Sequence, residues 1–119
     1  MGFDYKDLRV WQDAMALAEQ AYVYTQNLPS CEKFGLTSQI QRAAVSVPSN
    51  IAEGSARGTT KDYIRFLVIA RGSLAELETQ LLLCGRMKFG SIEKILETLV
   101  VTRKQIQALI NSLRKRMLY

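Results

Sequence analysis

The chain has 119 residues, 48% of them hydrophobic and 23% charged, which suits one domain with its own core and no need of disulfides or a structural metal. It has no histidine, which excludes Ser/His and Cys/His catalytic pairs and removes the commonest metal ligand; its two cysteines, Cys31 and Cys84, are too few for a four-cysteine zinc site. The net charge of +5 sits in the second half: residues 1–60 carry five Lys/Arg against six Asp/Glu, and residues 61–119 carry eleven against five.

No apolar run approaches the ~20 residues of a membrane span. The opening residues have early acids and no apolar stretch, so they do not read as a signal peptide. Two scattered cysteines fit a reducing, cytoplasmic setting.

The first helix is predicted over about Asp7–Asn27. Leu8, Trp11, Met15, Ala18, Tyr22 and Thr25 recur at intervals of three and four, which places them on one seam, read as the core face. Leu28-Pro29-Ser30 ends it, because the residue before a proline is pushed out of the helical region. The second helix is predicted over about Leu36–Arg57, with the seam Leu36, Ile40, Ala43, Val47, Asn50 and Gly54, widened by Ala44 and Ile51. Pro48 removes one backbone donor and presses on the preceding turn. The periodicity runs through it, so a kink is expected rather than a break.

The third helix is predicted over about Thr60–Met87, opened by Thr59 with Asp62 three residues on. Its seam is Tyr63, Leu67, Ala70, Leu74, Leu77, Leu81 and Cys84, which makes Cys84 a small core residue. Phe89-Gly90 stops it. The fourth runs from about Ser91, as N-cap, to Met117, with the seam Ile92, Ile95, Leu99, Thr102, Ile106, Leu109 and Leu113. No strand alternation, repeat or linker interrupts this series. Short connections make neighbours antiparallel. The expectation is an all-α, antiparallel up-down-up-down four-helix bundle, one domain over 1–119, with a Pro-kinked second helix.

Helices three and four are apolar beyond their seams, at Ile64, Phe66, Val68, Ile69, Leu82 and Leu83, and at Leu96, Val100, Ile110 and Met117. Either the core is wide or a second surface is covered. Large exposed apolar patches are uncommon on monomers, which favours a subunit interface.

Ser46, Asn50 and Glu53, continued by Arg57, form a polar line at helical spacing. No His or Lys on the line activates Ser46 or Ser49 as a nucleophile. The line therefore reads as structural: an Asn on a core seam fixes register and is expected to be hydrogen-bonded to groups freed at Pro48 or to a polar side chain of a neighbouring helix. Glu76 and Glu78 are expected to pair with Arg42, Arg57 or Arg71. The Glu-x-x-His pairs of bundle metal sites are missing. The chain is thus expected to be no enzyme, with no metal and no cofactor. From Arg103 onward there are five basic residues and no acid: Arg103, Lys104, Arg114, Lys115 and Arg116. A basic end of this kind either complements a helix C-terminus or meets a polyanion.

Three segments carry a resemblance. Phe3–Trp11 resembles the opening of the four-helix bundle proteins called 23S rRNA intervening-sequence proteins. Phe34–Gly54 is similar to that family's central signature, and Gly72–Leu81 to its third-helix motif. The resemblance implies a small bacterial cytosolic protein that forms ring-like homopentamers. It also implies kinship with the accessory protein of diversity-generating retroelements, which has a similar bundle and binds nucleic acid and a reverse transcriptase. The family name records gene location in ribosomal RNA insertions, not a ribosomal role. Two functions follow as expectations. One is an oligomer that binds RNA or DNA phosphates through Arg103, Lys104, Arg114, Lys115 and Arg116 with little sequence preference. The other is a scaffold that assembles with a partner protein; neither needs a membrane.

Overall fold

The fold is given by a computed structural model that describes residues 4–118, so Phe3 of the opening motif and Tyr119 lie outside the described residues. The helices are α1 (Arg9–Thr25), α2 (Leu36–Ala56), α3 (Thr60–Arg86) and α4 (Glu93–Met117), with short 3-10 turns at Tyr5–Asp7 and Ser30–Glu32. α1 starts two residues later than its periodicity suggests. The Asp4 carboxylate accepts the Lys6 amide at 2.9 Å and closes a separate turn, and Leu8 is extended before the helix begins. α3 starts as expected, with the Thr59 hydroxyl accepting the Asp62 amide at 3.1 Å. α4 does not: Ile92, not Ser91, precedes its first turn, and no side chain caps it. α2 stays helical through Pro48.

α1 touches α2 and α4, and α3 touches the same two; among the described residues no diagonal pair meets. With short connections this is the up-down-up-down bundle, 50 × 22 × 20 Å. The seams of α2, α3 and α4 fill its centre, from Ile40, Val47 and Ile51 through Leu67, Leu74 and Leu81 to Leu99 and Ile106, and Cys84 is fully buried among them.

α1 departs from expectation. Its core face is Val10, Ala14, Leu17, Ala21 and Tyr24, continued by Leu28, and not the stripe of Trp11, Met15 and Tyr22. Both stripes obey the three-four spacing. The buried stripe includes the small residues Ala14, Ala18 and Ala21, and α2 buries Ala43 and Ala44, which suits close packing of the bundle interior. Met15 and Tyr22 are therefore exposed and Trp11 is half-buried.

The α2–α3 contact is tighter still. A Cβ on Gly54 would stand 2.7 Å from Phe66 Cβ and 3.3 Å from the Tyr63 carbonyl. Phe66 is itself held under two guanidinium groups, Arg57 at 4.9 Å and Arg65 at 4.7 Å from its ring centre. At the opposite end the Tyr24 hydroxyl donates to the Gly90 carbonyl at 3.0 Å, tying α1 to the α3–α4 connection.

Two stability tests follow. Gly54→Ala gains ~1 kcal/mol of helix propensity but forces a methyl against backbone, an overpacking that costs ~1–3 kcal/mol. The urea midpoint is expected to fall; an unchanged or higher midpoint refutes the close approach. Burial, then the neighbouring Cys84, pushes the Tyr24 hydroxyl from 10.0 up to about 12. The unfolded chain releases that proton first, so stability is full below pH ~10 and is lost as pH rises toward 12. Burial also raises Cys84 and Tyr63, so the decline has the same sign from all three. Urea melts from pH 8 to 12 should show the loss, and Tyr24→Phe should flatten its upper part.

Candidate functional site

Asn50, Ser46 and Ser73 form one directed chain of hydrogen bonds. Asn50 Nδ2 donates to the Ser46 carbonyl at 2.8 Å and to Ser46 Oγ at 2.9 Å. Ser46 Oγ and Ser73 Oγ stand 2.8 Å apart, and Ser73 Oγ donates onward to the Ile69 carbonyl at 3.2 Å. Ser73 therefore accepts from Ser46, and every hydroxyl proton in the chain is committed. The expected core seam position of Asn50 is corrected: it is half-buried, at the margin between α2 and α3. Its backbone acceptor is the carbonyl of Ser46, one turn back, rather than the carbonyl freed by Pro48. Glu53 stands apart from this chain, exposed and paired with Arg57 at 3.0 Å.

The basic residues divide. Arg103 is half-buried and pairs with Glu78 at 3.0 Å, bracing α4 against α3. Its guanidinium is spent on the fold. Arg71 makes a parallel brace to Gln107 at 2.9 Å. The expected pairings of Glu76 and Glu78 with Arg42, Arg57 or Arg71 are thus replaced: Glu78 takes Arg103, Arg57 takes Glu53 and Arg71 takes an amide. Lys104 is exposed but lies ~15 Å along α4 from Arg114. Arg114, Lys115 and Arg116 are exposed in the last turn of α4, with no ion-pair partner among the described residues. Arg116 lines a cleft of about 400 Å³ with Gly58, Thr59 and Thr60 at the start of α3. That juxtaposition brings Lys61, also without an ion-pair partner there, to the same end of the bundle. Sequence spacing hides Lys61; the up-down topology reveals it, since α3 starts where α4 ends.

Two apolar surfaces complete the picture. Tyr5, Trp11, Met15, Tyr22, Val45 and Pro48 line a groove of about 650 Å³ between α1 and α2, with Tyr5 edge-on to Trp11 at 5.5 Å. Leu96, Val100 and Val101, flanked by Glu93 and Glu97, line a shallower depression on the outside of α4. Among the described residues no helix is long and apolar enough to cross a membrane, and no three metal-ligating side chains gather.

The family model described as 23S rRNA-intervening sequence protein matches residues 6–112. Arg103 and Lys104 fall inside that span, and Arg114–Arg116 beyond it. A solved structure, a protein of unknown function from the S23 ribosomal protein family of Bacteroides thetaiotaomicron VPI-5482, superposes with a TM-score of 0.76 at 24% identity. The match covers 85% of this chain and 97% of that one and shows a shared fold. No curated protein matches the chain.

The polar chain yields a test of its own. Asn50→Ala leaves Ser46 Oγ without its donor at a half-buried site, a loss of ~1 kcal/mol. Asn50→Asp is expected to cost more, because a carboxylate oxygen then faces the Ser46 carbonyl it cannot donate to. Thermal midpoints of both variants should fall in that order; unchanged midpoints would show that the chain is no lock between α2 and α3.

Proposed function

We propose that this chain, which belongs to the 23S rRNA-intervening sequence protein family, is a non-enzymatic, self-assembling protein that grips RNA or DNA by its phosphates with little regard for sequence. The observation that carries the reading is the set of uncompensated cations at one end of the bundle: Lys61, Arg114, Lys115 and Arg116. Lys and Arg neutralise phosphates and release counterions, which favours binding whatever the bases. Tyr63, which lines the cleft beside Arg116, is half-buried, and Phe66, one turn on along α3, is buried and capped by Arg57 and Arg65 rather than offered for base stacking. The contact is therefore with the backbone of the nucleic acid.

The assembly in this reading is a homopentamer in the cytoplasm. Exposed apolar side chains such as Met15, Tyr22, Val45, Leu82 and Val101 support self-association. Five subunits of +5 reach about +25, a field that draws a polyanion in from a distance. Both cysteines are free thiols, in keeping with a reducing compartment.

Fluorescence anisotropy with labelled RNA and DNA against salt concentration tests the reading. Each phosphate neutralised contributes roughly 0.7–0.9 to the slope of log affinity against log salt. Replacing Arg114, Lys115 and Arg116 together by Gln should weaken binding and flatten that slope; Lys61→Gln should do so to a lesser degree. Arg103→Gln should lower the thermal midpoint and leave the slope in place. Wild-type protein that binds no nucleic acid at 50 mM salt would overturn the proposal.

A further inference from the structure

The connection from α2 to α3 is three residues long, Arg57–Thr59, and Gly58 turns it with a φ of +93°, a conformation that suits a residue without a Cβ. Beside the turn lies the cleft of about 400 Å³. α2 walls it with Gly54 and Ser55, α3 with Thr60 and Tyr63, and the end of α4 with Leu113 and Arg116. Among the described residues no carboxylate lines it: Glu53 is held by Arg57 at 3.0 Å, and Asp62 lies 3.7 Å from Arg65. The Tyr63 hydroxyl is buried and has no hydrogen-bond partner among the described residues. Burial pushes it up from its ordinary 10.0, so it keeps its proton and stands as a donor. The Thr59 oxygen accepts the Asp62 amide, which leaves the Thr59 proton to donate. An unpaired buried donor is costly, and one that shares a cleft with an unpaired guanidinium calls for an acceptor of negative charge.

Resting on the phosphate binding proposed above, we infer that this cleft seats the terminal phosphate monoester of a nucleic-acid strand, held by Arg116, Tyr63 and the hydroxyls of Thr59 and Thr60. Charge selects the class of group. A phosphate monoester carries about −1.5 to −2 charges at neutral pH and presents three acceptor oxygens, whereas an internal diester carries a single charge. The cleft also lies at the opening of α3, a helix of 27 residues whose dipole favours an anion there. Shape selects the end of the strand. An internal phosphate continues into chain on both sides and has to lie across the mouth of the cleft. A terminal one enters end-on and reaches the hydroxyls on the walls. Lys61, Arg114 and Lys115 do not line the cleft and are left for the phosphates that follow the first.

Anisotropy with single-stranded oligonucleotides of one sequence and one internal dye tests the site. They carry a 5′ phosphate, a 3′ phosphate, or hydroxyls at both ends. At low salt a phosphorylated strand should bind about tenfold more tightly than the hydroxyl strand. Arg116→Gln should cut that preference to about twofold, whereas Arg114→Gln should weaken every strand alike and keep the preference. Tyr63→Phe should cut the preference too, and its thermal midpoint should not fall, because the free protein loses no hydrogen bond. A tyrosine that served only the fold would show the reverse: a lower midpoint and the preference intact. Adenosine monophosphate should bind about tenfold more weakly than the phosphorylated strand, since it lacks the further phosphates for Lys61 and Arg114. Equal affinity would make this a site for free nucleotides and overturn the strand end. If the strands bind alike whatever their ends, the terminal site is wrong while the phosphate grip stands. If none of them binds, both fall.

Discussion

Two helices come close only where the side chains between them are small. That condition governs α1, α2 and α3 here. Ala14, Ala18 and Ala21 on α1 and Ala43 and Ala44 on α2 are small and buried, and Gly54 meets Phe66 with no room for a methyl. The consequences run outward. With alanines on the buried face, the larger apolar side chains of α1 turn away from the core, and Trp11, Met15 and Tyr22 become a wall of the groove. With Gly54 against Phe66, the ring is pinned where Arg57 and Arg65 close over it. The surface features most open to a partner are thus by-products of how tightly the inside is packed.

The polar groups follow a second rule, that half-buried donors and charges find partners before they are available for anything else. Arg103 braces α3 through Glu78, and the Ser46 hydroxyl donates its hydrogen bond to Ser73. Both were candidates for binding or chemistry, and both are consumed by joints between neighbouring helices. Among the cations left over, Lys61 and Arg114–Arg116 gather at one end of the bundle, exposed and without an ion pair among the described residues.

The sequence made most of this legible. Three of four core seams, the Thr59 cap and the continuity of α2 through Pro48 follow from spacing and local chemistry. What was not legible depended on distances between helices. Spacing alone does not choose between the stripes Trp11–Met15–Tyr22 and Val10–Ala14–Leu17, because both repeat at three and four; the packing of the bundle interior chooses. Asn50 shares a periodic position with Ala43 and Val47, yet the margin of the α2–α3 contact leaves it half-buried. The role of Arg103 turned on Glu78, 25 residues away and one helix over.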